Sequence, residues 1–344
     1  MRWRLKALWM FLVLGLSLFA AGCGLTAAAQ DPEVPQSVVM GDKTLLWGPE
    51  IKAEALHMID RSAQFCHLTM YELSDRDVLD ALAAAGLRGV DVEVVLDATE
   101  SHSLATAVPF LQSRHIKVRL LRIPGGISHI KSLVTEDGTG MHALLGGMNF
   151  GSYSWQNHDA SVYFAHAGVG FEGLFEQDYA RAGGDPASPV EFAPPLLYDG
   201  QIESALLQAV GDARQSVVIE AFAFTSHALM DALAAACARG VHVSVLLDPH
   251  EPYNRRTASE LSAAGVQVDY YSPYQGEYLH AKIASIDHGK EVFVGSANFS
   301  YHGFSVNHEG DVELGDAWPF AQSIEQDATV QMARGSAGAP PSAG

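Results

Sequence analysis

Cysteine is almost missing from this 344-residue chain, with three in all, which excludes a small fold held together by disulfides. Cys66 and Cys237 have no second cysteine or histidine at metal-ligand spacing, and they read as two buried, unpaired thiols, with a disulfide in an oxidising compartment as the alternative. Positive charge is scarce too. Lysine and arginine total 21 against 40 aspartates and glutamates, a formal balance of −19. Affinity for a polyanion comes largely from basic side chains, so broad, sequence-independent binding to nucleic acid is disfavoured, while room remains for a local basic groove. The apolar run from Ala7 to Gly22 stops at 16 residues, short of the roughly 20 that a membrane-spanning helix needs.

What the chain does have is a duplication. Apolar residues make up 48% of it, enough for two domains with substantial cores. Leu79-Asp-Ala-Leu-Ala-Ala-Ala-Gly-Leu-Arg-Gly-Val90 lies over Met230-Asp-Ala-Leu-Ala-Ala-Ala-Cys-Ala-Arg-Gly-Val241, 151 positions on. Val92, Val94, Leu96 and Asp97 continue onto Val243, Val245, Leu247 and Asp248. The same offset joins His129-Ile-Lys131 to His280-Ala-Lys282, and Gly146-Gly-Met-Asn149 has its counterpart in Gly295-Ser-Ala-Asn298. A period this long is a whole domain copied once, not the unit of a solenoid. The two cysteines do not occupy equivalent places in the copies.

Helical and extended patterns alternate in each copy, which predicts an α/β layer arrangement. The first copy reads as a helix over about 50–62, a strand near 67–72, a helix over about 75–88 closed by Gly86 and Gly89, and a buried strand over 90–97. Another helix and a strand over 117–123 lead to the loop before His129. In the second, strands fall near 217–224, 242–247, 266–271 and 291–294, and a last helix spans 317–332.

Displacement in line at phosphorus puts the attacking and leaving groups on opposite sides of the phosphate. A histidine nucleophile and a histidine acid must then face each other across the substrate, and two homologous domains about a pseudo-twofold axis would supply both from one motif. Strand alternation sends His and Lys to one face and the apolar residue between them to the other. Lys131, Lys282, Asn149 and Asn298 would donate to the non-bridging oxygens, and the glycines beside each asparagine would let backbone approach the phosphate. Each imidazole needs a carboxylate on Nδ1 to leave Nε2 reactive. Asn157-His-Asp159 and Asn307-His-Glu309 follow their own histidines by 28 and 27 residues, which pairs Asp159 with His129 and Glu309 with His280.

With its two His-x-Lys motifs, the chain resembles the phospholipase D superfamily, whose hallmark is a repeated His-x-Lys-x4-Asp. The likeness runs from about Thr44 to Asp316. His280 to Asp287 with Gly295-Ser-Ala-Asn-Phe-Ser300 fits the full pattern, whereas the first copy has Glu136 at the aspartate position and Asp137 one residue later. The resemblance implies two homologous α/β/α sandwich repeats packed about a pseudo-twofold axis, with one active site at their interface. It also implies a phosphohistidine intermediate, no cofactor, no obligatory metal, Glu136 and Asp287 as motif supports, His129 as nucleophile and His280 as acid. Other histidines, such as His57, His102 and His250, read as surface residues.

Arg2, Arg4 and Lys6 ahead of the apolar run read as an export signal over residues 1–22. Leu18-Phe-Ala-Ala-Gly-Cys23 resembles the lipobox of bacterial lipoproteins, so Cys23 is the expected lipidation site and the protein an exported, membrane-anchored lipoprotein. An ordinary cleaved signal and an uncleaved anchor are the alternatives. Removing the signal leaves 18 basic residues against 40 acidic ones. The expected organisation is a tether over 23–43, a first repeat over 44–181, a linker over 182–195, a second repeat over 196–333 and a disordered tail over 334–344. The expected activity is cleavage of phospholipid headgroups or their transfer to water or an alcohol. Tyr270, Tyr271, Tyr274 and Tyr278 could form an amphipathic mouth at a lipid interface, stack on bases, or pack as core and loop, packing being the commonest reading for any one of them. An exported, metal-independent endonuclease and a non-catalytic phosphate-binding lipoprotein are the alternative functions.

Overall fold

The computed structural model describes residues 35–186 and 194–335. Cys23, the signal and the tail after 335 lie outside the described residues, as does 187–193 of the expected linker. The first repeat runs β1 (Val38–Met40), β2 (Lys43–Trp47), α1 (Pro49–Arg61), β3 (Phe65–Met70), α2 (Arg76–Leu87) and β4 (Asp91–Asp97). It continues with α3 (Val108–Ser113), β5 (Lys117–Leu121), β6 (Lys131–Glu136), β7 (Met141–Gly146), β8 (Ala160–Phe164) and α4 (Val169–Gly183). The second follows with β9 (Leu196–Tyr198), α5 (Gly200–Asp212), β10 (Ser216–Ala221), α6 (His227–Ala238), β11 (His242–Leu247) and α7 (Asn254–Ala263). Next come β12 (Gln267–Tyr270), β13 (Lys282–Ile286), β14 (Glu291–Gly295), α8 (Tyr301–Ser305), β15 (Gly310–Gly315) and α9 (Trp318–Arg334).

Each repeat builds one mixed sheet. The orders are β1-β2-β8-β7-β6-β3-β4-β5 and β12-β11-β10-β13-β14-β15-β9, so apart from β1 the second sheet repeats the first strand for strand. Strands β3, β4 and β5 are mutually parallel, and β6 pairs antiparallel with β3. The buried faces form three large apolar clusters. One lies under α1 and α2 of the first repeat, and another under α5 and α6 of the second. The third joins the repeats, with Trp47, Ile130, Val134, Leu145, Val162, Ile283, Val292, Val294 and Val312 in a single cluster that also takes in Leu174 of α4 and Phe320 of α9. The fold is therefore a pair of α/β/α repeats sharing one core, and the apolar residues of that core are as buried as those of either repeat.

Local chemistry sets the element ends. Asp75 caps α2 by accepting from the backbone of Asp77 and Val78, and Ser226 caps α6 from Leu229. Of the two glycines expected to close α2, only Gly89 does so, at φ +91° just past the helix. Gly86 lies inside the helix, where a Cβ would stand 2.6 Å from Ile116 Cδ1. The expected tether ends earlier than residue 43, because β1 adds to the sheet edge through Val38, Val39 and Met40. Cys66 is buried, with its thiol pushed up to about 12 by burial, but Cys237 is only half-buried; both are free. No helix among the described residues is long and apolar enough to cross a membrane.

Candidate active site

The two His-x-Lys segments enter the central strands β6 and β13, where Lys131 pairs with Met70 of β3 and Lys282 with Ala221 of β10. The residue between, Ile130 or Ala281, is fully buried in the shared core, and the flanking His and Lys turn the other way. Two aspartates at the ends of β4 and β11 brace the approach. Asp97 accepts from the Ser128 backbone at 2.7 Å and Asp248 from Leu279 at 2.8 Å.

Each segment is then bonded to the other repeat. The backbone N–H of His129 donates to the carbonyl of His308 at 2.8 Å, and that of His280 to the carbonyl of His158 at 2.8 Å. Ser128 bridges to His308 and Leu279 to His158 in the same parallel sense. This exchange corrects the carboxylate assignment. His129 Nδ1 lies 2.9 Å from Glu309 Oε2, and His280 Nδ1 lies 2.7 Å from Asp159 Oδ2, so each orienting acid serves the histidine of the other repeat. The reason is topological: the strands that follow the acids, β8 and β15, pack next to the opposite sheet through β14 and β7.

The crossed pairs differ in what else they hold. Glu309 also accepts from Ser296 Oγ at 2.6 Å and Asn307 Nδ2 at 3.0 Å, and burial pushes its carboxyl up to about 7. Among the described residues Asp159 takes, besides His280, only the backbone N–H of Ala160. His129 is held well below its ordinary value, first by burial and then by the charges of Lys131 and Lys282. His280 falls to about 4, again through burial and then Lys282, with Asp159 opposing and Lys131 adding to the fall. Both ammonium groups thus bear on both imidazoles, and the crossed contacts bring each imidazole against an acid of the opposite repeat. Burial brings Lys131 down to about 7 and Lys282 to about 8, with Glu309 and Asp159 pulling each back up. Each lysine donates to the carbonyl of its own histidine. The carboxamide oxygens of Asn149 and Asn298 are buried without a partner, so neither amide oxygen is committed to the protein among the described residues.

Other expected roles change on inspection of contacts. Asp287 accepts from the backbone of Arg214, Gln215 and Ser216, capping the turn into β10. In the first repeat the backbone carbonyl of Glu136 takes the equivalent bonds, from Ala63 at 2.8 Å and Gln64 at 3.1 Å. The glycines before the asparagines serve acids of the protein itself: a Cβ on Gly147 would stand 2.2 Å from Asp159 Oδ1, and one on Gly295 1.9 Å from Asp311 Oδ1. Of the four tyrosines, Tyr270 and Tyr271 are buried and Tyr274 bonds Gln331. Only Tyr278 is exposed near His280, its ring against Phe222 and His250. Tyr71 and Phe222, also 151 positions apart, lean on His129 and His280 and on the two lysines.

His158 and His308 are the middle residues of the Asn157–Asp159 and Asn307–Glu309 triplets. His158 Nε2 lies 2.6 Å from Asp327 Oδ2 and 3.6 Å from Glu220 Oε2. His308 is gripped on both nitrogens at 2.8 Å, by Asp199 and Asp178. Against the cost of burial, these acids raise each imidazole to about 10. They are charged posts under the two crossing segments, and the signal for them was the histidine repeated in both triplets.

The family model described as "Cardiolipin synthase, PLD-like domain" matches residues 55–170 and 206–329. Among curated relatives, cardiolipin synthase B of Escherichia coli (strain K12) is 33% identical over 121 residues, covering 30% of this chain and 29% of the relative. Cardiolipin synthase A of Klebsiella pneumoniae subsp. pneumoniae is 28% identical over 145 residues, or 39% of this chain and 29% of the relative. The chain thus spans about three tenths of the length of the curated relatives it matches. Among solved structures, phosphatidylserine synthase of Haemophilus influenzae Rd KW20 superposes with a TM-score of 0.69 at 13% identity over 88% of both chains. Polyphosphate kinase of Porphyromonas gingivalis gives 0.63 at 18% identity over 85% of this chain and 47% of that one. With both repeats matched by the family model and the two-repeat fold shared with these structures, the chain belongs to the PLD-like domain family of the phospholipase D superfamily.

Proposed function

We propose that this protein is a phospholipase D-type enzyme that cleaves phospholipid headgroups, or transfers the phosphatidyl group to an alcohol, through a covalent phosphohistidine. The observation that carries the reading is the crossed pairing of His129 with Glu309 and of His280 with Asp159, beside Lys131 and Lys282, two cations with no acid of their own at hydrogen-bond distance among the described residues. An anionic phosphodiester is the ligand that such a pair accepts. Matches to cardiolipin synthases support a phospholipid substrate.

In this mechanism Nε2 of neutral His129 attacks phosphorus while the bond to the headgroup oxygen breaks. His280, held near 4 by burial and the lysine charges before substrate enters, takes a proton from solvent as the anionic phosphodiester settles beside it and gives it to that oxygen, leaving a phosphatidyl group on His129. Neutral His280 then takes a proton from water or an alcohol, whose oxygen attacks phosphorus as the P–N bond breaks. Glu309, already sharing its charge with Ser296 and Asn307, suits the ring that must stay neutral. Asp159, with fewer competing donors, suits the ring that carries the proton. Lys131, Lys282, Asn149 and Asn298 hold the non-bridging oxygens. A lipid anchor on Cys23 keeps the enzyme beside its substrate outside the cytoplasm, with the membrane as its working surface.

The test is quench-flow with phosphatidylglycerol vesicles, no metal added, followed by peptide mass spectrometry. The expected adduct is a phosphatidyl group on the peptide containing His129, and none in His129→Ala. Nicking of plasmid DNA without lipid turnover would move the assignment to a nuclease, and phosphate binding without turnover of either would leave a binding protein.

A further inference from the structure

The first repeat carries a second cluster of ligand-type side chains, on strand β3 and helix α4, that the phosphodiester chemistry does not use. One ring nitrogen of His67 and one carboxylate oxygen each of Glu172 and Glu176 lie within 4.8 Å of one another. The histidine is built in. It is 6% exposed, stacked between Phe65 and Phe175 with ring centroids 4.6 and 4.3 Å away. Its Nδ1 lies 2.8 Å from Glu172 Oε1. Its Nε2 is buried with no hydrogen-bond partner, and so is Oε2 of Glu172. With Nδ1 turned to a carboxylate, Nε2 is left as a bare lone pair. These two buried, orphaned acceptors on neighbouring side chains carry a desolvation cost that a bound cation would remove.

The helix supplies the rest of the donor set. Glu172 and Glu176 are one turn apart and share a face of α4, and burial, then the charge of Glu172, pushes the Glu176 carboxyl above its ordinary range. The geometry points to a divalent transition-metal site formed by His67, Glu172 and Glu176. One imidazole and two carboxylates are a zinc-type set; calcium and magnesium favour oxygen donors throughout. Glu176 is exposed, which leaves water to complete the coordination sphere.

Such an ion would fasten α4 to β3. The same helix carries Asp178, two residues beyond Glu176, whose carboxylate grips His308. The ion's role is therefore to stiffen the support of one crossing segment, with no part in the phosphoryl transfer. The second repeat does not repeat the set. With α4 and α9 aligned on Asp178 and Asp327, Glu176 falls on Glu325 but Glu172 falls on Ala321, and His67 falls on Val218 of β10. One ion per chain is expected.

The experiment is calorimetric titration of zinc chloride into the untagged, chelator-stripped full chain, alongside thermal unfolding. Wild type should bind one zinc per chain and melt several degrees higher with it. Glu176→Gln changes an exposed residue, so its fold can be checked by circular dichroism; it should bind about tenfold more weakly or worse and lose the thermal shift, and His67→Gln should do the same. Saturable binding absent up to millimolar zinc, two ions per chain, or unaltered affinity in Glu176→Gln would each overturn the site. So would binding that survives Glu176→Gln and is lost in Asp327→Asn, which would place the ion at the buried cluster of His158, Glu220 and Asp327. None of these outcomes bears on the phosphodiesterase reading, which is read out separately by lipid turnover.

Discussion

Asp159→Asn and Glu309→Gln should fail at different steps, because each acid now belongs to the histidine of the opposite repeat. On the proposed mechanism Asp159→Asn weakens the general acid, so release of an ordinary headgroup should slow by about 10²–10⁴-fold. With a p-nitrophenyl phosphodiester, whose leaving group needs no proton, the first-turnover burst should persist. Glu309→Gln disturbs the nucleophile and should abolish the burst with either substrate; equal behaviour of the two variants on both substrates would contradict the crossed assignment. The lysines make a pH prediction. Their folded values are lowered to about 7 for Lys131 and about 8 for Lys282, and the charged form is the one that binds phosphate. The kcat/KM of the wild type should therefore fall as pH rises through 7 to 8. Bound phosphate favours the ammonium, so the limb in kcat should lie higher. Lys131→Arg keeps its charge at any such pH and should carry the kcat/KM limb upward, where a profile flat to pH 10 in the wild type would count against the lysine roles.

At the scale of elements, the motif acid does different work in the two halves. Asp287→Ala strips acceptors from three backbone N–H groups at the turn into β10 and should cost about 1–3 kcal/mol in urea unfolding. Glu136→Ala leaves the bonding carbonyl in place and should cost clearly less; equal losses would refute the backbone substitution. Gly147→Ala should cut turnover sharply with little loss of fold, since its Cβ would strike the carboxylate that orients His280. These elements also mark how far sequence reaches. Strand β4, helix α2 and the His-x-Lys strands were legible because burial leaves a periodicity and duplication doubles it. The partner of each orienting acid was not, since a spacing of 28 residues says nothing about which of two equivalent histidines stands nearer after the repeats pack. The same holds for Gly147 and Gly295, where the glycine answers to an acid that is distant in sequence. Strand β1 was missed for another reason: three residues at a sheet edge carry too short a pattern to separate from a tether.

Across the whole molecule, the two repeats are fastened by the segments to which the chemistry is assigned in the proposal, so the charged posts beneath those segments should couple stability to activity. His158 is faced by Asp327 and Glu220, with Trp47 and Tyr271 packed on its ring. His308 is faced by Asp178 and Asp199, with Arg181 reaching Asp178 at 3.7 Å. Both imidazoles sit near 10 in the fold against about 6.5 in an unfolded chain. Their stabilisation is therefore complete below pH 6.5 and is lost as pH rises through 10. The buried lysines run the other way. Lowered in the fold, they add stability as pH climbs from about 7 toward 10.5, so the summed alkaline dependence is small and a simple stability curve hides the posts. Ring-resolved measurement separates them: in 15N-histidine protein, two imidazoles should remain doubly protonated at pH 8.5, where a free imidazole is neutral. Asp327→Asn should remove one of these signals and Asp178→Asn the other. His158→Gln, which strands two buried carboxylates, should cost about 3–5 kcal/mol and lower turnover with it, because the carbonyl that holds the His280 N–H rides on the same residue. If both rings titrate below pH 7.5, the posts are ordinary core histidines, and the fastening of the two halves rests on the apolar core alone.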